Sequence, residues 1–359
     1  IRQDLPRGYF RELPKLALRE LRGTARIYAL AVELIRHSDS KLERSHLVRF
    51  LNSFQTVAPL TIGELWAWPS MLRLGLIENL RRLAARTLEA RTARRAANSF
   101  VDHIDESGHG ALPRLPTSLH TAYIVQLLQR IREGGPRLTA VRGAIDAYLE
   151  EQQSSAEEVI RAEHQQQAAA QVSIGNVIGS LRFVATLDWS AYFEAVSLVD
   201  RALQQDPAGA YGRMDFLSRD RYRQAVEELA ERNGDAQMRV ALRAVESARQ
   251  AAEHLAAETA LGAAGSRASD DRAAHVGYHL VGRGRLGLES DIAHRPRLRL
   301  RARRYAFAHA TGLYLSSIAL LTGGLVALGV AYARRQGAGV ELALLAALLL
   351  FLPASELAI

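Results

Sequence analysis

The chain has 359 residues, 48% of them apolar and 23% charged, enough for one large or two ordinary globular domains and too apolar for a disordered chain. It has no cysteine, which excludes disulfides, thiolate metal sites and cysteine nucleophiles. The 46 basic against 38 acidic residues give a net charge of +8, but Lys15 and Lys41 are the only lysines, so the excess reflects a habit of using arginine and points poorly to nucleic acid.

From Tyr9 to about residue 282, apolar residues recur at spacings of three and four, as in Leu13, Leu16 and Leu21 and then Ile27, Leu30, Leu34 and Ile35. No stretch alternates as a half-buried strand would, so the region is expected to be all-α. Ser38, Asp39 and Ser40 interrupt the first long helix and can cap a second one carrying Leu47, Phe50, Leu51 and Phe54. Thr61 with Glu64 three residues on has capping-box spacing and opens a long helix from Ile62 to about Ala97, with Pro69 near its first turns. Residues 98–118 hold Asn98, Ser107, Gly108, Gly110, Pro113 and Pro116 and read as a loop.

Gly134, Gly135 and Pro136 separate two helices, the second running on through a Gln- and Ala-rich segment, 150–171, that reads as a solvated helix or coiled-coil arm. One further helix is expected over Val172–Leu203, and one or two over 216–261 with a left-handed cap near Asn233 and Gly234. Residues 262–271 form a small-residue linker.

The last sixty residues change character. Arg295, Arg297, Arg299, Arg301, Arg303 and Arg304 put six arginines in ten residues, and positions 305–333 then contain no Asp, Glu, Lys or Arg. About 20 apolar residues cross a bilayer core, so this run is long enough to span one. After Arg334 and Arg335 and a Gly-containing turn, Leu342–Leu352 is uninterruptedly apolar, and the pair reads as a transmembrane hairpin whose second helix meets the chain end. The excess of arginine before the span places the amino-terminal region, residues 1–304, in the cytoplasm, with the cluster at the membrane surface. The organisation expected is therefore a helical cytoplasmic domain over 1–268, a basic juxtamembrane connector over 269–304 and the hairpin over 305–359. The first residue is Ile1 and the last, Ile359, comes after an apolar run, which reads as a piece of a longer polypeptide.

No complete catalytic set is visible. Asp102, His103, Asp105, Glu106, His109 and His120 are metal-competent but without regular ligand spacing, and a solvated polar loop is the simpler reading. His275 and His279 stand four apart, with Val276 where a zinc protease helix needs glutamate, so packing or hydrogen bonding is expected of them. The glycines of 282–287 lack the strand and the Lys-Ser/Thr of a phosphate loop. The arginines from Arg81 to Arg95 have no interleaved aromatics and read as a solvated face that can lie near anionic lipid, so nucleic acid is not an expected partner. No two aspartates stand at i and i+2, so an Asp-x-Asp that holds a metal-bound nucleotide sugar is missing, as is a Gly-x-Ser-x-Gly elbow.

Three blocks, Pro59–Ala84 (PLTIGELWAWPSMLRLGLIENLRRLA), Asp188–Ala230 (DWSAYFEAVSLVDRALQQDPAGAYGRMDFLSRDRYRQAVEELA) and His275–Glu289 (HVGYHLVGRGRLGLE), with the closing Pro353–Ile359 (PASELAI), resemble the amino-terminal region of bacterial cyclic β-1,2-glucan synthases. The likeness runs from about residue 9 to the end. It implies an inner-membrane enzyme in which a helical cytoplasmic region and a first transmembrane pair precede a UDP-glucose- and divalent-metal-dependent glycosyltransferase domain. Glucose is added there through β-1,2 bonds to a protein-linked chain that is released as a ring. No catalytic, cofactor or metal residue carries over, because the transferase motif would lie beyond Ile359.

Within the blocks, Trp66 and Trp68 are candidates for packing or for contact with the growing glucan. Arg213, Asp215, Arg219, Asp220, Arg221, Tyr222 and Arg223 form a charged run in which Asp215 or Ser218 can cap a helix and the rest can fix a loop, meet the transferase domain or touch substrate. The expectation is a non-catalytic scaffold and membrane anchor, with the bilayer, the downstream transferase domain and glucan as partners. The alternative is a membrane-anchored helical signalling or scaffolding protein without enzymatic activity.

Overall fold

The computed structural model describes residues 9–17, 21–106, 115–116, 118–134, 138–230, 234–260, 272–293, 302, 305–307, 309–337 and 339–358. They fall into two compact units, Ile1–Ile292 and Ala293–Ile359. Among the described residues, the regular structure is helical apart from one isolated antiparallel bridge between Lys15 and Ala25, so the class is all-α.

Among the described residues the first unit opens on a single helical turn, α1 (Tyr9–Glu12). The chain then doubles back through the Lys15–Ala25 bridge, and the positive φ of Gly23 makes the turn. Helix α2 (Arg26–His37) ends at Asp39 and Ser40, both with positive φ. These residues turn the chain but do not cap the next helix, because α3 (Arg44–Gln55) has Glu43 at its N-cap with no side-chain bond.

Helix α4 (Ile62–Glu106) has 45 residues. Its start is the expected capping box: Thr61 Oγ1 accepts from the Glu64 amide at 3.1 Å, and Glu64 Oε2 accepts from the Thr61 amide at 2.9 Å. Arg26 forks onto the fully buried Glu64 at 2.9 and 2.6 Å and also reaches the Pro59 carbonyl.

The helix continues nine residues past the expected end at Ala97. Ala97, Val101 and Ile104 keep the spacing of three and four and are buried, so what reads as loop composition from Asn98 onward is overridden by packing. Residues 107–114 and 117 lie outside the described residues.

Helices α5 (Thr121–Glu133), α6 (Thr139–Glu151) and α7 (Ala156–Thr186) come next. The segment expected to run unbroken through 150–171 is cut at Gln152–Ser155: Gln153 takes a positive φ, and Ser155 forms a complete capping box with Glu158. The single helix expected over Val172–Leu203 is three: the end of α7, then two short ones. Asp188 caps α8 (Trp189–Val196) by accepting from the Ser190 and Ala191 amides, and Ser197 caps α9 (Leu198–Leu203). A short 3-10 turn (Tyr211–Arg213), α10 (Phe216–Leu229), α11 (Gly234–Ala260), α12 (Val276–Leu280) and α13 (Arg285–Asp291) complete the unit. Asn233 and the 262–271 linker lie outside the described residues.

Two cores form. The larger joins α2, α3, the first part of α4, the end of α7 and α8 to α13 around the fully buried Trp68, Leu47, Leu51, Leu72 and Tyr211. The smaller joins the end of α4, α5, α6 and the start of α7 through Val101, Ile124, Leu127, Ile145 and Val159. Between them α4 and α7 run antiparallel as an arm. Leu76, Leu83, Ala90, Ala97 and Ile104, seven residues apart, mark the buried or half-buried seam of α4, while most of 77–96 is exposed.

In the second unit, α14 (Ala310–Arg335) and α15 (Val340–Ala358) pack side by side as a helical hairpin. Small residues allow close approach, and a methyl group at Gly329 would collide with Leu350. Helix α14 has 26 residues and is long and apolar enough to cross a membrane; the apolar run of α15, Val340–Phe351, is shorter than a bilayer core requires. One membrane-length helix is therefore found where a pair was expected.

Candidate functional site

The densest chemistry among the described residues lies where α8, α9 and α10 meet. Asp215 accepts from the Ser218 amide at 2.8 Å and the Ser218 hydroxyl at 2.9 Å, which caps α10 and holds the Asp215 carboxyl below its usual pKa. So capped, α10 turns Arg223 inward, where its side chain is fully buried.

Arg223 Nε donates to Asp200 Oδ1 at 3.1 Å and Nη2 to Glu194 Oε1 at 3.3 Å, while its guanidinium lies over the rings of Phe193 and Phe216 at 5.0 and 4.7 Å. Asp200 is equally buried and accepts in addition from the Tyr211 hydroxyl at 2.7 Å and from Gln204 at 2.8 Å. Arg219 closes the ring onto Glu194 at 2.9 Å, and Asp220 stands 3.7 Å from Arg223 Nη1. Two cations thus meet three carboxylates in a site largely closed to water, an arrangement that is stable only because each charge is partnered.

A second cluster adjoins the first. The Asp206 carboxylate accepts from the amides of Ala210, Tyr211 and Val276 at 3.0, 3.1 and 3.0 Å, and pairs with His275 Nδ1 at 2.8 Å. Burial pushes its pKa up, but these hydrogen bonds outweigh burial and hold it below the usual 3.8. His275 Nε2 lies 3.2 Å from the Tyr222 hydroxyl, and the Tyr222 ring stacks on Tyr211 at 6.0 Å. Burial, first, and the Asp206 charge both raise the Tyr222 pKa, which favours the protonated hydroxyl. The cluster fastens α12 to the 206–211 turn. Further along, Arg285 bridges Glu228 and Glu289, and Arg243 meets Asp291.

The structure sorts the expected residues. Trp66 is half-buried, stacked on Phe193 at 4.8 Å with Phe216 edge-on at 5.9 Å, against the two rings that flank the Arg223 guanidinium. Trp68 is wholly buried, which excludes it as a platform for sugar. Arg219, Asp220 and Tyr222 join the networks, whereas Arg213 and Arg221 are exposed at the rim. Arg295, Arg297, Arg299, Arg301, Arg303 and Arg304 lie outside the described residues.

Glu194, Asp200, Asp206 and Tyr211 are members of these networks that no sequence motif marks; only the pairing of an Asp with a helix start gives any local signal. The residues Asp102 to Glu106 belong to α4, not to a loop, and His120 caps α5 by accepting from the Ala122 amide. His279 donates to the Ala273 carbonyl at 2.8 Å, away from His275. Among the described residues no three His, Asp or Glu converge to hold a metal.

No protein-family model matches the chain. A curated protein, the cyclic beta-(1,2)-glucan synthase NdvB of Rhizobium meliloti (strain 1021), is 36% identical to it over 304 residues. That alignment takes in 82% of this chain, which spans 10% of the length of that relative.

Proposed function

Because the chain is related to the amino-terminal region of the cyclic β-(1,2)-glucan synthase family, we propose that it serves such a synthase as a non-catalytic helical scaffold and membrane anchor. The observation that carries this is the identity along 82% of the chain, which takes in helices of both cores rather than one motif. The charge clusters support a structural role, since Arg223 turns inward onto Asp200, and Asp206 onto His275 and three backbone amides. In this reading α14 crosses the bacterial inner membrane with α15 packed beside it, and residues 1–304 lie on the cytoplasmic side. Polymerisation from UDP-glucose with a divalent metal, and ring closure, belong to other parts of the synthase that this region positions. The exposed rim residues Arg213 and Arg221, with Trp66, are the surface offered to the transferase domain or to glucan.

Membranes carrying the parent polypeptide are expected to convert radiolabelled UDP-glucose into neutral cyclic β-1,2-glucan, and membranes carrying residues 1–359 alone to make none. Glucan made by the short chain removes the non-catalytic reading, and none made by the parent removes the synthase reading. A cysteine at Gly337, in the turn between α14 and α15, is expected to be labelled by an impermeant maleimide from the periplasmic side only.

A further inference from the structure

Helix α4 carries a second stripe besides its packing seam. Leu74, Ile77, Arg81, Leu88, Arg91 and Arg95 are separated by three, four or seven residues, so they share one face, and all are exposed. Leu74, Ile77 and Leu88 leave 38%, 49% and 61% of their surface open. The face is centred about 130° around the helix from the seam marked by Leu76, Leu83 and Ala90, so α7 does not cover it. Arg81 is held in place by Glu78 at 2.7 Å, and Glu89 stands about 100° around the helix from Leu88, which leaves the stripe itself without an acidic residue.

Apolar side chains interleaved with arginines on one helical face, with Glu78 and Glu89 at its border, suit a surface that is apolar beneath and anionic on top. We propose that this face of α4 rests on an anionic phospholipid bilayer, Leu74, Ile77 and Leu88 entering the headgroup boundary and Arg91 and Arg95 meeting lipid phosphates. The proposal rests on the membrane anchoring put forward above, since α14 of the same chain is what brings a bilayer within reach. A second copy fits less well. Antiparallel pairing of two stripes sets Leu74 and Ile77 against the partner's arginine end, and parallel pairing sets arginine on arginine.

The chain has no cysteine, so Leu88→Cys carries a single environment-sensitive label, and Glu89→Cys, turned about 100° away around the helix, serves as its control. The full chain is reconstituted in vesicles of phosphatidylcholine alone or with phosphatidylglycerol, each containing doxyl-labelled lipid. The label at 88 is expected to shift to the blue and be quenched in the anionic vesicles only, and the label at 89 in neither. Arg91→Gln with Arg95→Gln should weaken this adsorption roughly tenfold or more, with the helical circular dichroism unchanged. An unquenched label at 88 in anionic vesicles, equal quenching in both vesicles, or oxidative cross-linking of two unlabelled Leu88→Cys chains through position 88 overturns the proposal. Flotation separates the two readings: a chain that floats with both vesicles but shows no quenching at 88 loses only the α4 contact, and a chain that floats with neither loses the anchor as well.

Discussion

The large core and the small one share two helices, α4 and α7, yet they are held in different ways. In the large core, side chains far apart in sequence are fastened by buried polar bonds: Arg26 on Glu64, Gln55 on the Val196 carbonyl, Ser180 on the Ser40 carbonyl and Leu42 amide, Arg223 on Asp200, and His275 on Asp206. The small core spans residues 97–159 and is mostly aliphatic around Tyr123 and Phe100; at its edge the buried Glu163 takes Arg94 at 2.9 Å and Thr121 at 3.1 Å. A core of neighbouring helices can find its register from apolar spacing alone. One assembled from distant segments uses directional, charge-assisted bonds to choose among alternative packings of similar helices.

The contrast can be broken at several points. Arg223→Ala leaves Asp200 buried without its cation and should cost about 3–5 kcal/mol, felt in the large core alone, so two unfolding transitions should separate in urea. A single transition that shifts as a whole would mean the arm couples the cores rigidly. Leu127→Ala empties a fully buried site in the small core and should cost about 3 kcal/mol there, read by hydrogen exchange of α5 and α6 with α10 and α11 unchanged.

Asp206→Asn removes a charged acceptor from three amides and His275 and should cost about 2 kcal/mol, loosening α12 first. The same clasp gives a pH signature. Because the folded pKa of Asp206 lies below its usual 3.8, its stabilisation is present above that value and fades as the pH falls through the folded one, so α12 amides should lose protection in acid before α5 amides do. Asp206→Asn should abolish that acid step. The smallest effect is Ser155→Ala, about 1 kcal/mol from the capping box of α7, confined to the small core.

The same difference explains what can be read from the residues. Thr61 and Glu64 announce the start of α4, Asp215 the start of α10, and the uncharged run from 305 the membrane-length helix, because each signal is local. The breaks before α8 and α9 are hidden, since Asp188 and Ser197 stop the chain inside an unbroken apolar rhythm without glycine or proline. The partners of Arg223 are hidden too: Asp200 and Glu194 stand 23 and 29 residues away, and nothing nearby marks an acidic residue as buried. The run at 213–223 is legible as a charged network about a capped helix, but its carboxylate half is not.

The length of α4 has a mechanical consequence. From Pro69, which lacks the amide that would bond the Leu65 carbonyl, to Glu106 the helix rises about 55 Å. The small core sits at the far end of that rod, and much of the shaft touches only α7. A tilt of about 5° at the proline would sweep the far end through about 5 Å, the height of one helical turn. A rod of this kind magnifies a change too slight to disturb the packing at its root, so motion here is best sought at the tip, by distances measured from residue 130 to residue 51.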